Sequence, residues 1–543
     1  MPVSTSTQPL PTMNKAPAAG LSRVLVWITC LVVLAGYAHL FALELRQRGD
    51  MPLQIDELFF ATCAARGLAV GEIPISGCHD NKGPLVYVVY QALQAVGGLY
   101  PLALYKIAAF VLGLLNAALV CVTVARSAGR TAGFLGAAAL LVLYVQDPWV
   151  LALKPESLGM AFVLSAMLLV PGLDARVRPW RWACVGLLFG MALATKQTFL
   201  FPLLGLLVWL SGASWAAQGW RVALARLVAV GLAAAVPLLA FATVFWLAGR
   251  GLDFAAALLL YPMLYKSTAV VGLIKGLALR LSALAGFWTP LLPLLGAFVL
   301  VLVAYFSRMR RARLGWQAPH LAYVCVTLGA FVVLLASPII MRFHLFPAAA
   351  LAVVVVALCL LGSAPVASPE GAAGQRWVGR AALLWALVVT LGAWGGPAGN
   401  PLRDRKILVT HELKAPRGAY AYVVGIWPKL YVDNGLVPAS DVLYPTAFPG
   451  APMLWSYQEP APGTAKARML ADLHRHNIER LLADFAKTPP EVVVVVEGEG
   501  RAEDSNRASD IAVLDNYIAG HCRPDELIDI PGHIRAQVYA CQR

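Results

Sequence analysis

Charge is what this sequence has least of. Only 13% of its 543 residues are Asp, Glu, Lys or Arg, against about 25% in an ordinary soluble domain. Hydrophobic residues make up 59%. A soluble core this apolar would have no polar coat, so the surplus must face lipid. A cleavable secretory signal is also missing. The polar first residues carry Lys15 and Arg23, the apolar run 24–43 is long enough to span, and no small-residue cleavage site follows it. We read that run as a retained first helix and residues 1–23 as a disordered cytoplasmic tail.

Nucleic-acid motifs are absent too, although the net charge is +14. Much of the basic excess sits in short clusters between apolar runs, where arginines act as topology signals. Nine cysteines do not make a disulfide scaffold here. Cys30, Cys121, Cys184, Cys325 and Cys359 lie in apolar runs as packing residues. Cys63 with Cys78, and Cys522 with Cys541, form two pairs that an oxidising compartment could close; spacing leaves both open.

Long apolar stretches lie near 24–43, 102–125, 131–146, 157–173, 182–195, 198–211, 227–248, 281–305, 319–337, 344–362 and 378–395. They predict a polytopic α-helical membrane protein of about eleven spans. Leu85–Gly98, interrupted by Gln91 and Gln94, reads as an interfacial or re-entrant helix. With a cytoplasmic N-terminus, five basic clusters fall on one side: Arg126/Arg130, Arg176/Arg178/Arg181, Arg221/Arg226, Arg308/Arg310/Arg311/Arg313 and Arg376/Arg380. The positive-inside rule asks for that pattern. The other side receives the first outer loop, 44–101, and everything after the last span. The membrane part, 24–396, ends at Gly395-Gly396-Pro397. Residues 397–543 read as a small α/β domain outside the cytoplasm, with a buried strand at Val492–Val496 and a helix over Ala465–Lys487. That domain holds no phosphate loop, nucleophile elbow or zinc spacing.

Chemistry concentrates in the first outer loop. Asp56-Glu57 opens a short apolar helix, and His79-Asp80-Asn81-Lys82-Gly83-Pro84-Leu85 closes the loop before the chain returns to the interface. Carboxylates and a lysine thus sit at the depth of a lipid phosphate. This loop resembles the first outer loop of the GT-C glycosyltransferases, in the branch of protein O-mannosyltransferases and lipid A aminoarabinose transferases. There a D-E pair opens the loop helix and an acidic-x-K-P-P-L stretch closes it. Further pieces agree in order: Lys154-Pro155-Glu156 at the next outer turn, Gly186 to Gly190 running on to Thr195-Lys196, and Arg342-Phe343-His344-Leu345-Phe346-Pro347 opening a late helix. The resemblance covers about residues 20–365. It departs at Gly83, which stands where K-P-P has its first proline.

The resemblance implies inverting transfer of a sugar from a polyprenyl-phosphate carrier to a glycolipid, polysaccharide or protein acceptor outside the cytoplasm, in a bacterial inner membrane. Asp56 matches the catalytic aspartate, with Glu57 beside it, and a carboxylate at the interface is expected to have a raised pKa. Lys82, Arg342 and Lys196 are the candidates for the donor phosphate. Glu57, Asp80, Glu156 and His344 would orient acceptor or sugar, or help hold a divalent ion if one is used. Each has a plainer reading: Asp56 as a helix N-cap, Lys82 and Arg342 as snorkelling anchors, Glu156 as a helix-start carboxylate, His79 and His344 as structural histidines. A secondary transporter or lipid flippase would place its ionisable groups near mid-span. A non-catalytic assembly subunit would not need Asp56.

Overall fold

A computed structural model describes residues 23–46, 55–73, 82–146, 152–170, 173, 179–264, 296–303, 319–336, 342–361, 410–425, 427–443, 460–497, 512–530 and 534–542. Among the described residues the chain runs through helices α1 (Arg23–Arg46), α2 (Ile55–Val70), α3 (Pro84–Gly97), α4 (Leu102–Ala128), α5 (Arg130–Gln146), α6 (Pro155–Leu169), α7 (Pro179–Thr195), α8 (Leu200–Gln218) and α9 (Trp220–Leu247). Two long late helices follow, Pro319–Ala336 and Arg342–Leu361. Among the described residues, four segments are long and apolar enough to cross a membrane: Val24–Leu43, Leu102–Ala128, Gln197–Gln218 and Trp220–Leu247. The expected span at 378–395 lies outside the described residues, and so does most of that at 281–305.

The outward faces of these helices are apolar. On α9, Leu232, Leu239, Trp246 and Leu247 are all more than half exposed, the wrong solvent for water and the right one for lipid. Inward, small residues let helix backbones approach closely. A Cβ at Gly186 would meet Val230 O at 2.3 Å, and one at Gly190 would meet Ala234 O at 2.4 Å. The G-x-x-x-G of α7 is therefore the groove in which α9 lies. It fixes where α7 ends, and Thr195-Lys196 stands at that end. Gly159 does the same for α6, since its Cβ would strike the Phe199 ring and Thr195 Oγ1.

α2 and α3 pack on each other outside this bundle. The glutamines that interrupt α3 are its ties to the loop. Gln94 Nε2 donates to Ala61 O at 2.7 Å, and Gln91 Nε2 donates to Glu72 O at 2.6 Å. A helix in a sparsely hydrated place must satisfy such groups internally, which explains their presence in an apolar run.

The described residues of the C-terminal region form a five-stranded sheet of order β2-β1-β3-β5-β4. Its strands are β1 (Tyr420–Val424), β2 (Val437–Pro438), β3 (Val492–Glu497), β4 (Cys522–Ile530) and β5 (Ile534–Cys541). β3 is central, as its valine run predicts, but it is parallel only to β1 and antiparallel to β5. The expected helix is present at Ala465–Lys487, capped by Thr464, whose hydroxyl accepts from Ala467 N. Cys522 and Cys541 form a disulfide at the open end of the β4–β5 hairpin. Cys63 is also disulfide-bonded, while Cys78 lies outside the described residues. One apolar core joins this region to the first outer loop. Leu58, Phe60, Ala61 and Ala64 of α2 pack in it with Trp427, Leu430, Tyr431 and Leu436.

Candidate active site

α2 begins with Asp56 and Glu57, and the two side chains part at once. Asp56 keeps 24% of its side chain exposed and accepts from Lys154 Nζ at 3.0 Å. Glu57 is fully buried; it takes Lys106 Nζ at 3.3 Å on one oxygen and the Leu153 N–H at 3.0 Å on the other. Lys154 itself is buried. It precedes Pro155 in extended geometry (φ −104°, ψ 153°), as a residue before proline must, and α6 starts behind it.

Two strands of backbone meet beside this pair. Lys82 forms an antiparallel bridge with Lys196, and Gly83 N donates to Thr195 O at 2.9 Å. The approach is so tight that a Cβ on Gly83 would meet Ala194 O at 2.1 Å. The departure from K-P-P thus has a steric cause: proline would lose the N–H and add the Cβ. The φ of Gly83 is −77°, so it is space rather than backbone freedom that requires glycine. Lys196 in turn pairs with Glu156, whose other oxygen, Oε2, has no hydrogen-bond partner among the described residues. Lys82, Lys196 and Glu156 are all buried.

Among the described residues, then, three lysines converge on two carboxylates. Buried cations are costly unless anions face them. The cluster also decides the state of Asp56. Burial alone would raise its pKa, but Lys154, through charge and hydrogen bond, then Lys82 and Lys196, outweigh that and hold it at about 2. The expected upward shift is overturned, because an interface carboxylate facing three ammonium groups is stabilised in its charged form.

The remaining candidates are less fully placed. Arg342 starts the helix Arg342–Leu361, as the motif predicts, but its side chain and all of Asp80 lie outside the described residues. His344 is half-buried in the first turn of the same helix. Among the described residues no group of three or more His, Cys, Asp or Glu that could hold a divalent ion occurs, and Asp56 and Glu156 each face a lysine.

Sequence reasoning placed Lys154 in a motif without giving it a role, and it missed Lys106. A signal was there for each: an ionisable residue at the edge of an apolar segment needs a named partner. Their acidic partners, Asp56 and Glu57, lie 98 and 49 positions away. Gln197 was missed as well; its Nε2 donates to Ala257 O at 3.0 Å, tying the turn after Lys196 to a π-helical turn, Ala256–Leu260.

The fold as a whole is shared with solved structures of two kinds. It aligns with ArnT from Cupriavidus metallidurans, both in the apo state (TM-score 0.55) and bound to undecaprenyl phosphate (TM-score 0.54), at 14% identity over 95% of this chain and 97% of that one. The Archaeoglobus fulgidus oligosaccharyltransferase tethered with an acceptor peptide aligns with TM-score 0.51 and 13% identity, over 96% of this chain and 74% of that one. No protein-family model matches the sequence, and neither does any curated protein.

Proposed function

We propose that this chain is an inverting glycosyltransferase that moves a sugar from a polyprenyl-phosphate donor to a hydroxyl of a glycolipid, polysaccharide or protein at the outer face of a bacterial inner membrane. One observation carries the reading: a buried cluster of lysines beside a partly exposed carboxylate, at the seam between the first outer loop and the ends of α6 and α7. A transport path would instead put its ionisable groups at mid-span. Similar folds in solved structures hold undecaprenyl phosphate and an acceptor peptide, which supports both substrate classes.

In this reading Lys82, Lys196 and Arg342 hold the donor phosphate. The departing polyprenyl phosphate leaves as an anion, so it needs cations rather than a general acid. Asp56 takes the proton of the acceptor hydroxyl as that oxygen forms its bond to the anomeric carbon. A carboxylate held near 2 is a weak base, and the donor remedies this. Its phosphate neutralises Lys82 and Lys196, which removes two of the three positive neighbours that depress Asp56 and lets its pKa return toward the ordinary range. Base strength thus arrives with the substrate. Glu156, one oxygen of which has no partner among the described residues, accepts in this reading from a sugar or acceptor hydroxyl.

Purified protein in nanodiscs, given a panel of polyprenyl-phosphate sugars and acceptors and followed by mass spectrometry, tests the proposal. Donor consumption by wild type and its loss in Asp56→Asn is the expected result. No turnover and no donor binding across the panel would defeat it.

A further inference from the structure

We propose that Glu57 is a positioning residue: with Tyr90 it clasps both backbone edges of Leu153, and this clasp sets Lys154 against Asp56. The inference rests on the reading of Asp56 as the base. Glu57 is fully buried, with one oxygen on Lys106 and the other on the Leu153 N–H, so the part we assign it in catalysis passes through another residue.

The geometry names that residue. Leu153 and Lys154 lie in a connection that is neither helix nor strand, where no ladder of backbone bonds fixes the chain. Side chains do it instead. Glu57 Oε1 accepts the Leu153 N–H at 3.0 Å, and Tyr90 OH donates to Leu153 O at 3.0 Å. Lys154 N closes a tight turn onto Ala152 O at 2.8 Å, and Lys154 O already accepts from Leu158 of α6 at 3.1 Å. Lys154 is therefore pinned on both sides, and its ammonium meets Asp56 at 3.0 Å. The arrangement is reciprocal: adjacent residues Asp56 and Glu57 of α2 engage adjacent residues Lys154 and Leu153. One grips a side chain and the other grips the backbone that carries it.

The pairing of Glu57 with Lys106 does not by itself explain Glu57. A buried ion pair is commonly replaceable by apolar residues of similar size with little loss of stability. What an apolar residue cannot supply is the acceptor for Leu153 N–H. The clasp and the ion pair can thus be separated by keeping or removing that acceptor while the ion pair is absent in both cases.

Two double variants of the full chain in nanodiscs make the comparison. Glu57→Met/Lys106→Met removes the pair and the acceptor, whereas Glu57→Gln/Lys106→Met removes the pair and keeps an amide oxygen for Leu153. Amide hydrogen exchange at Leu153 reads the clasp directly, and kcat and donor KM read its consequence. In the Met/Met variant we expect Leu153 exchange to rise about tenfold or more. Its kcat should fall about tenfold or more, because small displacements of a catalytic group are costly. Donor KM should stay within about threefold of wild type. The Gln/Met variant should rescue both protection and kcat. Tyr90→Phe, which removes only the hydroxyl, should weaken the clasp in the same direction and serves if Met/Met does not fold. Equal kcat in Gln/Met and Met/Met, or a Leu153 amide that stays protected without its acceptor, would overturn the proposal. If wild type itself shows no turnover, or Asp56→Asn retains it, the reading of Asp56 fails instead, and the exchange data still report whether the clasp exists.

Discussion

Changing Gly83 to proline would give the loop the K-P-P it otherwise resembles, and a reading from motifs alone expects the change to be neutral or better. The structure predicts harm. Proline removes the N–H that Gly83 donates to Thr195 O at 2.9 Å, and leaving a buried acceptor short of its donor costs about 1–3 kcal/mol. It also adds a Cβ where one would lie 2.1 Å from Ala194 O, an overlap of the kind that costs about 1–3 kcal/mol when the surroundings must shift. That shift is not cheap. Ala194 belongs to α7, and α7 is locked against α9 by the close approaches at Gly186 and Gly190. The total is about 2–6 kcal/mol, part of it released by pulling Lys82 away from Lys196. Gly83→Ala isolates the steric part, because alanine keeps the N–H. Thermal unfolding in nanodiscs, together with binding of a polyprenyl phosphate, should rank wild type above Gly83→Ala and Gly83→Ala above Gly83→Pro on both measures. A Gly83→Pro protein that melts with wild type and binds the phosphate as tightly would refute the close approach and the clamp built on it.

Asp56 gives a pH prediction with a definite sign. Its pKa is depressed from the ordinary 3.8 to about 2, so its ion pair stabilises the fold above about pH 4 and that contribution is lost as pH falls through about 2. Wild type should exceed Asp56→Asn in stability by about 2 kcal/mol at neutral pH, and pH-dependent melts should show the gap closing in acid; a constant gap would refute the assignment. Removing Lys196 alone would strand the buried Glu156, so the double change Lys196→Met/Glu156→Leu is the cleaner test of the phosphate site. It should fold and bind donor about 10- to 150-fold more weakly, the worth of one charge-assisted hydrogen bond; unaltered affinity would remove Lys196 from the site. Arg480 pairs with both Asp253 and Asp441, which are buried. Arg480→Met should destabilise by about 3–5 kcal/mol in denaturant unfolding, and Arg480→Met/Asp253→Leu should recover part of that loss.

How far the sequence could be read depended on whether a feature is local. Apolar runs are local, and α4 was expected at 102–125 and found at Leu102–Ala128. Polar ends hide in such a reading: α9 was expected from 227 and starts at Trp220, because Arg221 and Arg226 continue the helix past the apolar run. Arg226 is buried there, over the Trp182 ring and hydrogen-bonded to Ser214 and Gln218. The periodicity of Ala465–Lys487 gave that helix to the residue. The alternation in β4 and β5 was too polar to announce an edge hairpin. In the site, Asp56, Glu156 and Lys196 were legible because each sits in an ordered motif. Their mutual arrangement was not. Which lysine faces Asp56, what Glu57 holds and why position 83 is glycine all depend on contacts between segments about 50 to 110 positions apart.

The C-terminal region belongs to this arrangement rather than hanging beside it. One face of α2 supplies Leu58, Phe60, Ala61 and Ala64 to the core it shares with Trp427, Leu430 and Tyr431. Further along α2, Arg66 donates to Thr488 and Asp484, and Tyr100, past α3, donates to Leu436 O at 2.7 Å. Arg250 closes the circuit, reaching Glu72 beyond the end of α2, Asp253 beside it and Asp441 in the C-terminal region. The helix that presents Asp56 is therefore held at its first turn by the clasp on Leu153 and along its length by the C-terminal region. Cutting the chain at 401 would uncover the apolar face of α2 and strand Arg66, Arg250 and Asp253 without partners they now have. Loss of activity in such a truncation would report the loss of α2, not the loss of acceptor recognition. A role of the C-terminal region in choosing acceptors has to be sought through exposed side chains such as Arg475, which can be changed without touching the core that holds Asp56.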